Sequence, residues 1–305
     1  MNCYQREHKA LGSTVLLTIV TTENAAHAAS IFDLLIERIA AFEHQFSRFR
    51  EDSELTAFNR RAGKRTAVTP AMHQLLTAAK TYAERTHGLY NPFILPALQR
   101  AGYRSSWPSP QDTTTIDYTE RHVVRIDALQ IGDSWARIPA DSALDFGGIG
   151  KGYLLDELAD MLADKNIAGY WLSLGGDIVC AGQDMDGQPW KIGVQDASDP
   201  GRTVHTIVAA SNTRTAIATS GVTKRKGEQW GRPWHHLIDP RTGKPADTAI
   251  LTATVVCASG TDADIYAKAV AIGGEVPAKK WIQAGQIRLC ILQTVDGART
   301  IEGGS

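Results

Sequence analysis

DFGGIGKGYLLDELADML, residues 145–162, is the stretch from which the rest of the chain is read. A Gly-rich turn (Gly147, Gly148, Gly150, Gly152) runs directly into Leu154, Leu155, Leu158 and Leu162, a spacing that predicts a helix with one buried face. Glycines ahead of a helix N-terminus let backbone N–H groups approach a ligand closely, and the helix dipole favours an anion there. Lys151 stands where a phosphate needs a counter-charge. The P-loop pattern GxxxxGK[ST] is absent: only three residues separate Gly147 from Lys151, and Gly152 replaces the hydroxyl residue. The dinucleotide-binding glycine spacing is absent as well.

Composition narrows the class. The chain has 305 residues, 43% hydrophobic and 21% charged, as in ordinary soluble proteins. A formal net charge of −1 gives no reason to expect nucleic acid or an anionic membrane as partner. Cys3, Cys180, Cys257 and Cys290 are scattered without a CxxC pair, so neither a zinc site nor a disulfide framework is signalled. No apolar run reaches membrane-spanning length. The first residues, MNCYQREHKALGS, show no apolar signal core, which points to the cytoplasm, or to an exported protein if a leader was removed.

Outward from the central helix, residues 13–20 (STVLLTIV) read as a buried strand, followed by helical spacing through Phe32, Leu35, Ile36, Ile39, Phe42 and Phe46. In FSRFREDSELTAFN (46–59), Asp52 or Ser53 could cap a short helix carrying Leu55 and Phe58. Thr69-Pro70 places a capping hydroxyl before a proline at the first helical position. That helix buries Met72, Leu75, Leu76, Ala79, Tyr82 and Ala83, and Gly88 ends it. Residues 108–115 read as an exposed loop, and 123–126, 129–131 and 135–138 as short strands.

After the central helix come strands at 170–174, 178–181, 190–194, 204–210, 215–219, 251–257 and 287–293, with helices near 262–272 and 277–284. Mixed sheets with packed helices and no βαβ rhythm make this an α+β fold. The chain reads as a single domain over 1–305, with two halves able to form lobes around a cleft.

Four segments carry polar groups that packing does not require. They are the opening turn with Asp145 and Lys151, SLGGD (173–177), WHHLIDPRTGKP (234–245), and the helix opening Thr261-Asp262-Ala263-Asp264. Each has a plainer reading. A Gly-Gly-Asp turn can join a hairpin, Asp239-Pro240 and Thr242-Gly243 are turn formers, and carboxylates in a first helical turn complement the dipole. Adjacent His235 and His236 point to opposite sides of an extended segment, so at most one faces a ligand.

Taken in order, LGS (11–13), FSRFREDSELTAFN, DFGGIGKGYLLD, SLGGD, WKIGV, ATSG, HHLIDPRTGKP and the Ala263-Asp264 helix resemble the ApbE family, the FAD:protein FMN transferases. The resemblance spans residues 11–273. It implies an α+β fold with FAD in a cleft between the two halves. It also implies a Mg²⁺-dependent reaction that moves the FMN half of FAD onto a Thr of an acceptor flavoprotein and releases AMP. The implied FAD contacts are Leu11, Phe49 (usually Tyr in the family), Ala101, Gly102, Tyr103, Asp145, Gly147, Gly148, Lys151, Gly175, Gly176, Asp177, His236 and Leu237. The implied metal ligands are the Gly148 carbonyl, Asp264 and the residue at 268. Asp264 would draw the proton from the acceptor hydroxyl, Lys151 would stabilise the phosphates, and His236 would hold the flavin phosphate or assist proton transfer.

Position 268 departs from that pattern. The family has a Thr oxygen there, whereas this chain has Lys268, which offers donors and no acceptor. Either Lys268 points away and Mg²⁺ binds through Asp264, carbonyls and water, or the ammonium occupies the cation's place. A solvated i,i+4 pair of Asp264 and Lys268 is the plainer reading. Two other activities fit the same residues: FAD hydrolysis to FMN and AMP, and flavin binding without catalysis. A scaffold without ligand would bind no FAD at all.

Overall fold

The computed structural model describes residues 1–104, 123–224, 226–229 and 232–302. The expected loop at 108–115 lies outside them. The chain forms two compact units, each made of separate stretches of sequence. The first comprises 1–43, 149–220 and 250–305, and the second 44–148 and 221–249.

The first unit is built on an eight-stranded sheet. Its strands are β1 (Asn2–Ala10), β2 (Ser13–Thr21), β3 (Gly169–Leu174), β4 (Asp177–Gly182), β5 (Thr215–Gly221), β6 (Ile250–Cys257), β7 (Leu289–Thr294) and β8 (Gly297–Glu302). They lie side by side in chain order. The pairs from β1 through β5 and from β6 through β8 are antiparallel. In β2, Val15, Leu17, Ile19 and Val20 are fully buried, as its β-branched run predicts. β3 and β4 are joined by Gly175 and Gly176, with φ of 65° and 99°. Positive φ at both central residues is the requirement of a type I′ hairpin, which only glycine meets without strain.

The α-helices among the described residues are α1 (Ala25–Phe46), α2 (Glu54–Asn59), α3 (Pro70–Arg85), α4 (Leu95–Arg100), α5 (Gly150–Asp160), α6 (Gly260–Gly273) and α7 (Glu275–Gln283). In the first unit α5 and α6 cross with their backbones in contact, because Gly152 and Gly260 carry no side chain at the crossing. A Cβ on Gly152 would run into the Gly260 carbonyl and come within 2.7 Å of the Asp264 Cβ. One on Gly260 would sit 2.6 Å from the Gly152 carbonyl oxygen. Apart from Asp262 and Lys268, α6 is buried along almost its whole length up to Ile272, which suits a helix whose residues are mostly apolar.

In the second unit the local cap and stop signals read from sequence hold, while Tyr82, expected on the buried face of α3, is only half-buried. Ser53 caps α2 by accepting from the Thr56 N–H at 3.0 Å. Thr69 caps α3 from Met72 N at 3.2 Å, with Pro70 at the first helical position. Gly88, at φ 80°, closes α3 by donating to the Ala83 carbonyl at 2.8 Å. Thr66–Ala67, Gln130–Gly132 and Trp135–Arg137 form a small sheet.

One strand reading needs correction, and two strands escape the sequence pattern. Residues 123–126 do not form a strand. The Asn91 side chain takes the Val124 carbonyl at 2.9 Å, and a 3₁₀ turn follows at Ile126–Ala128. A side-chain partner there replaces a ladder partner. β1 and β8 were not read as strands because they are polar edge strands. Their residues lack the apolar run that marks buried strands. No helix of the described residues is long and apolar enough to cross a membrane.

The crossing predicts a stability effect. Gly152→Ala is expected to cost about 1–3 kcal/mol, because the added methyl meets backbone rather than a movable side chain. Urea unfolding measures it, and a variant as stable as the unaltered chain would contradict the contact.

Candidate functional site

In the first unit the crossing helices exchange carboxylates. Asp264 of α6 accepts from the Gly152 N–H in the first turn of α5 at 3.1 Å. Asp156 of α5 accepts from the Gly260 and Thr261 N–H groups at 2.7 and 2.8 Å, and from the Thr261 hydroxyl at 2.6 Å. Ser259 takes the next N–H of α6, that of Asp262, at 3.1 Å. Each helix therefore caps the other's N-terminus, where unpaired N–H groups and the dipole favour negative charge. Asp156 was not singled out in the sequence, since its partners lie 104 and 105 residues away.

Two ammonium groups meet two carboxylates at this crossing. Lys151 pairs with Asp177 at the start of β4, and Lys268 pairs with Asp264. The carboxyl-bearing side chains are 6% and 1% exposed, the lysines 20% and 18%. The anions are thus inside and the cations at the rim. Burial pushes the Asp264 carboxyl up, but Lys268, Lys151 and the Gly152 N–H outweigh it and hold the group below the ordinary aspartate range. The same unit contains Leu11, at φ 55°, whose N–H donates to Glu43 at 2.9 Å. Of the residues expected from sequence, this unit holds Leu11, Lys151, Gly175, Gly176, Asp177, Asp264 and Lys268.

The second unit holds the others: Phe49, Ala101, Gly102, Tyr103, Asp145, Gly147, Gly148, His236 and Leu237. Three of them, Phe49, Tyr103 and Asp145, contact a residue that the sequence does not single out, Arg48. Its Nε lies 2.7 Å from an Asp145 oxygen, and both side chains are below 10% exposed. A second guanidinium nitrogen donates to the Tyr103 carbonyl at 3.0 Å. Its Cζ lies over the Phe49 and Tyr103 rings, 4.1 and 4.7 Å from their centroids. Tyr103 in turn meets Phe49 and His236 edge-on, at centroid separations of 6.0 and 6.4 Å. The other Asp145 oxygen accepts from the Gly147 N–H at 2.8 Å and so sets the Gly-rich turn.

Phe49 is exposed, while Ala101 and Leu237 are buried and can offer a ligand little beyond backbone. Ala101 packs with Ala97, Leu98 and Ile238. His235 and His236 divide as expected of neighbours on an extended segment. His235 Nε2 is 3.2 Å from the Ala246 carbonyl and burial lowers its pKa, whereas His236 faces Tyr103. Asn59, the last residue of the FSRFREDSELTAFN stretch, bonds the Leu144 backbone twice, at 2.8 and 2.9 Å.

The Mg²⁺ that the family resemblance implies can be tested against the donors present. Hard divalent cations need several oxygen ligands. One Asp264 oxygen is taken by Lys268 and the other by the Gly152 N–H. Lys268 has no lone pair to give. Among the described residues no three His, Cys, Asp or Glu side chains form a group able to hold a metal ion. The Asp264–Lys268 pair does not fit a divalent cation.

Two measurements check this geometry. Arg48→Met leaves Asp145 buried without its partner and is expected to cost about 3–5 kcal/mol, much of which the double variant with Asp145→Asn recovers. Additive losses would show that the pair is not a unit. For Asp264, a depressed native pKa gives stability that is fully present above the ordinary aspartate value and is lost as pH falls through the native one. Lys268→Met leaves burial less opposed. Acid unfolding followed by circular dichroism is then expected at higher pH than in the unaltered chain, and an unshifted midpoint contradicts the pairing.

A family profile described as the ApbE family matches residues 11–291. The FAD:protein FMN transferase of Vibrio cholerae serotype O1 is 28% identical over 302 residues, covering 97% of this chain and 89% of that protein. The FAD:protein FMN transferase of Treponema pallidum is 26% identical over 290 residues, covering 89% of this chain and 79% of that protein. Among solved structures, the ApbE protein from Thermotoga maritima superposes with a TM-score of 0.86 at 23% identity, covering 99% of this chain and 97% of that one, and bears on the fold. The flavin transferase ApbE from Vibrio cholerae superposes with a TM-score of 0.82 at 25% identity, covering 100% and 98%. With the profile running across nearly its whole length, this α+β chain belongs to the ApbE family.

Proposed function

We propose that the chain is an FAD:protein FMN transferase, moving the FMN half of FAD onto a Thr hydroxyl of an acceptor flavoprotein with release of AMP. The single observation that carries the site is the bond from the Gly152 N–H to Asp264, which joins the glycine-led helix and the acidic helix at one crossing. The names of the relatives, each an FAD:protein FMN transferase, support the same reaction.

In this reading the acceptor hydroxyl oxygen forms a bond to the FMN-side phosphorus. The bond from that phosphorus to the bridging oxygen breaks, and AMP leaves with the bridging oxygen and its electron pair. Positioning and charge neutralisation do most of the work in such transfers. The Lys151 ammonium and the N-terminal end of α5, apart from the Gly152 N–H that Asp264 holds, meet the pyrophosphate. Asp264, held as a carboxylate by its neighbours, is in the state that can accept the hydroxyl proton. Phe49, Tyr103 and His236 offer a ring surface for the flavin, with Arg48 and Asp145 as positioning residues beneath it. Leu11, Gly175, Gly176 and Leu237 remain proposed FAD contacts.

Incubating the purified chain with FAD and a protein bearing a candidate Thr motif tests the reading. Flavin covalently on the acceptor, with AMP in equal amount, is the expected result. AMP without acceptor labelling would mean hydrolysis, and intact bound FAD would mean a binding protein; either overturns the proposal. Asp264→Asn, which keeps an oxygen for the Gly152 N–H, is expected to lower the transfer rate by about 10²–10⁴-fold. Lys151→Ala is expected to lower it by about 10²–10³-fold.

A further inference from the structure

We infer that the Lys268 ammonium is the resident counter-cation of this site, and that FMN transfer here proceeds without a divalent metal. The inference rests on the reaction proposed above and specifies what neutralises its charge.

Access comes first. Asp264 is 1% exposed, and Lys268, one helical turn further along α6, covers it from the partly exposed side. A metal ion reaches the carboxylate only by displacing the ammonium. The displaced group stays tethered to the same helix face and repels the incoming cation. The second carboxylate oxygen is committed to the Gly152 N–H, so a metal there would also strip a cap from α5.

The ammonium, in contrast, has capacity to spare. It carries three donors. Among the described residues one goes to the Asp264 carboxylate and a weaker one to the Asp264 carbonyl, at 3.3 Å. The third donor has no partner among the described residues, and the side chain is 18% exposed.

The order of exposure points the same way. Lys151 and Lys268 pair with the buried Asp177 and Asp264, and in each pair the cation is the more exposed partner. A doubly charged pyrophosphate meets two ammonium groups and the N-terminus of α5 at this rim. The transfer is not a redox step, and its atoms balance without a further reactant. The bond from the Thr oxygen to phosphorus forms, the bond to the bridging oxygen breaks, and AMP departs; the proton passes to the Asp264 oxygen that the ammonium releases as it turns to the pyrophosphate.

The test compares the unaltered chain with Lys268→Thr, each with FAD and a Thr-bearing acceptor protein, in EDTA and in Mg²⁺. Mn²⁺ binding by electron paramagnetic resonance, corrected for Mn²⁺ held by FAD alone, gives a readout independent of turnover. The unaltered chain is expected to label the acceptor in EDTA without loss of rate and to leave Mn²⁺ free. Lys268→Thr is expected to lose about 10²-fold in EDTA, to recover in Mg²⁺, and to bind Mn²⁺. Loss of labelling by the unaltered chain in EDTA, with Mn²⁺ bound, overturns the inference and leaves FMN transfer standing. If neither condition gives flavin transfer or AMP, the functional reading has failed and the Mn²⁺ titration decides alone. Binding by Lys268→Thr only then sustains the counter-cation, and any other pattern overturns it.

Discussion

The close crossing of α5 and α6 is the constraint on which the first unit's site depends. Two glycines, Gly152 and Gly260, permit backbone contact between the helices. That contact brings the first turn of each helix within reach of a carboxylate on the other, and two charged side chains take over capping that an isolated helix leaves to its own flanking residue or to water. Only Ser259 performs that ordinary task, for α6; Ile149, at the head of α5, makes no side-chain cap. The N-terminus of α5 thus owes its anion to a helix more than a hundred residues away. A wider crossing would undo the caps and the placement of Lys268 at once.

Burying carboxylates is costly unless a cation accompanies them, and both units meet that cost with basic side chains placed around the proposed ligand residues. Asp177 has Lys151, Asp264 has Lys268, and Asp145 has Arg48. The choice of cation follows the local geometry. Arg48 sets its guanidinium carbon over two rings while separate nitrogens bond a carboxylate and a carbonyl, a set of contacts that suits the guanidinium's spread of donors better than a compact ammonium. At 151 and 268 a compact charge on a flexible stem reaches from a buried anion to the rim.

What could be read from sequence follows from range along the chain. The caps at Ser53 and Thr69, the strand around Leu17 and the face Leu154–Leu158 are local or periodic signals, and each appears where expected. Motif order identified the family, and the Asp264–Lys268 spacing announced an i,i+4 pair. Arg48 was illegible because its partners at 103 and 145 are remote in sequence and its own neighbourhood reads as a polar turn. Asp156 looked like one more charge on a helix until α6 was placed beside it. The polar strands β1 and β8 carry no pattern of their own, and become strands because β2 and β7 offer them edges.

The central claim is that the head of α5 and the buried pair of Asp264 and Lys268 receive one pyrophosphate. A crystal structure of the chain grown with FAD and Mn²⁺, with anomalous scattering used to find the metal, tests this most directly. The account predicts pyrophosphate oxygens on the Lys151 and Lys268 ammonium groups, with no anomalous peak at Asp264. FAD bound elsewhere, or manganese seated on the Asp264 carboxylate with Lys268 swung aside, would contradict it.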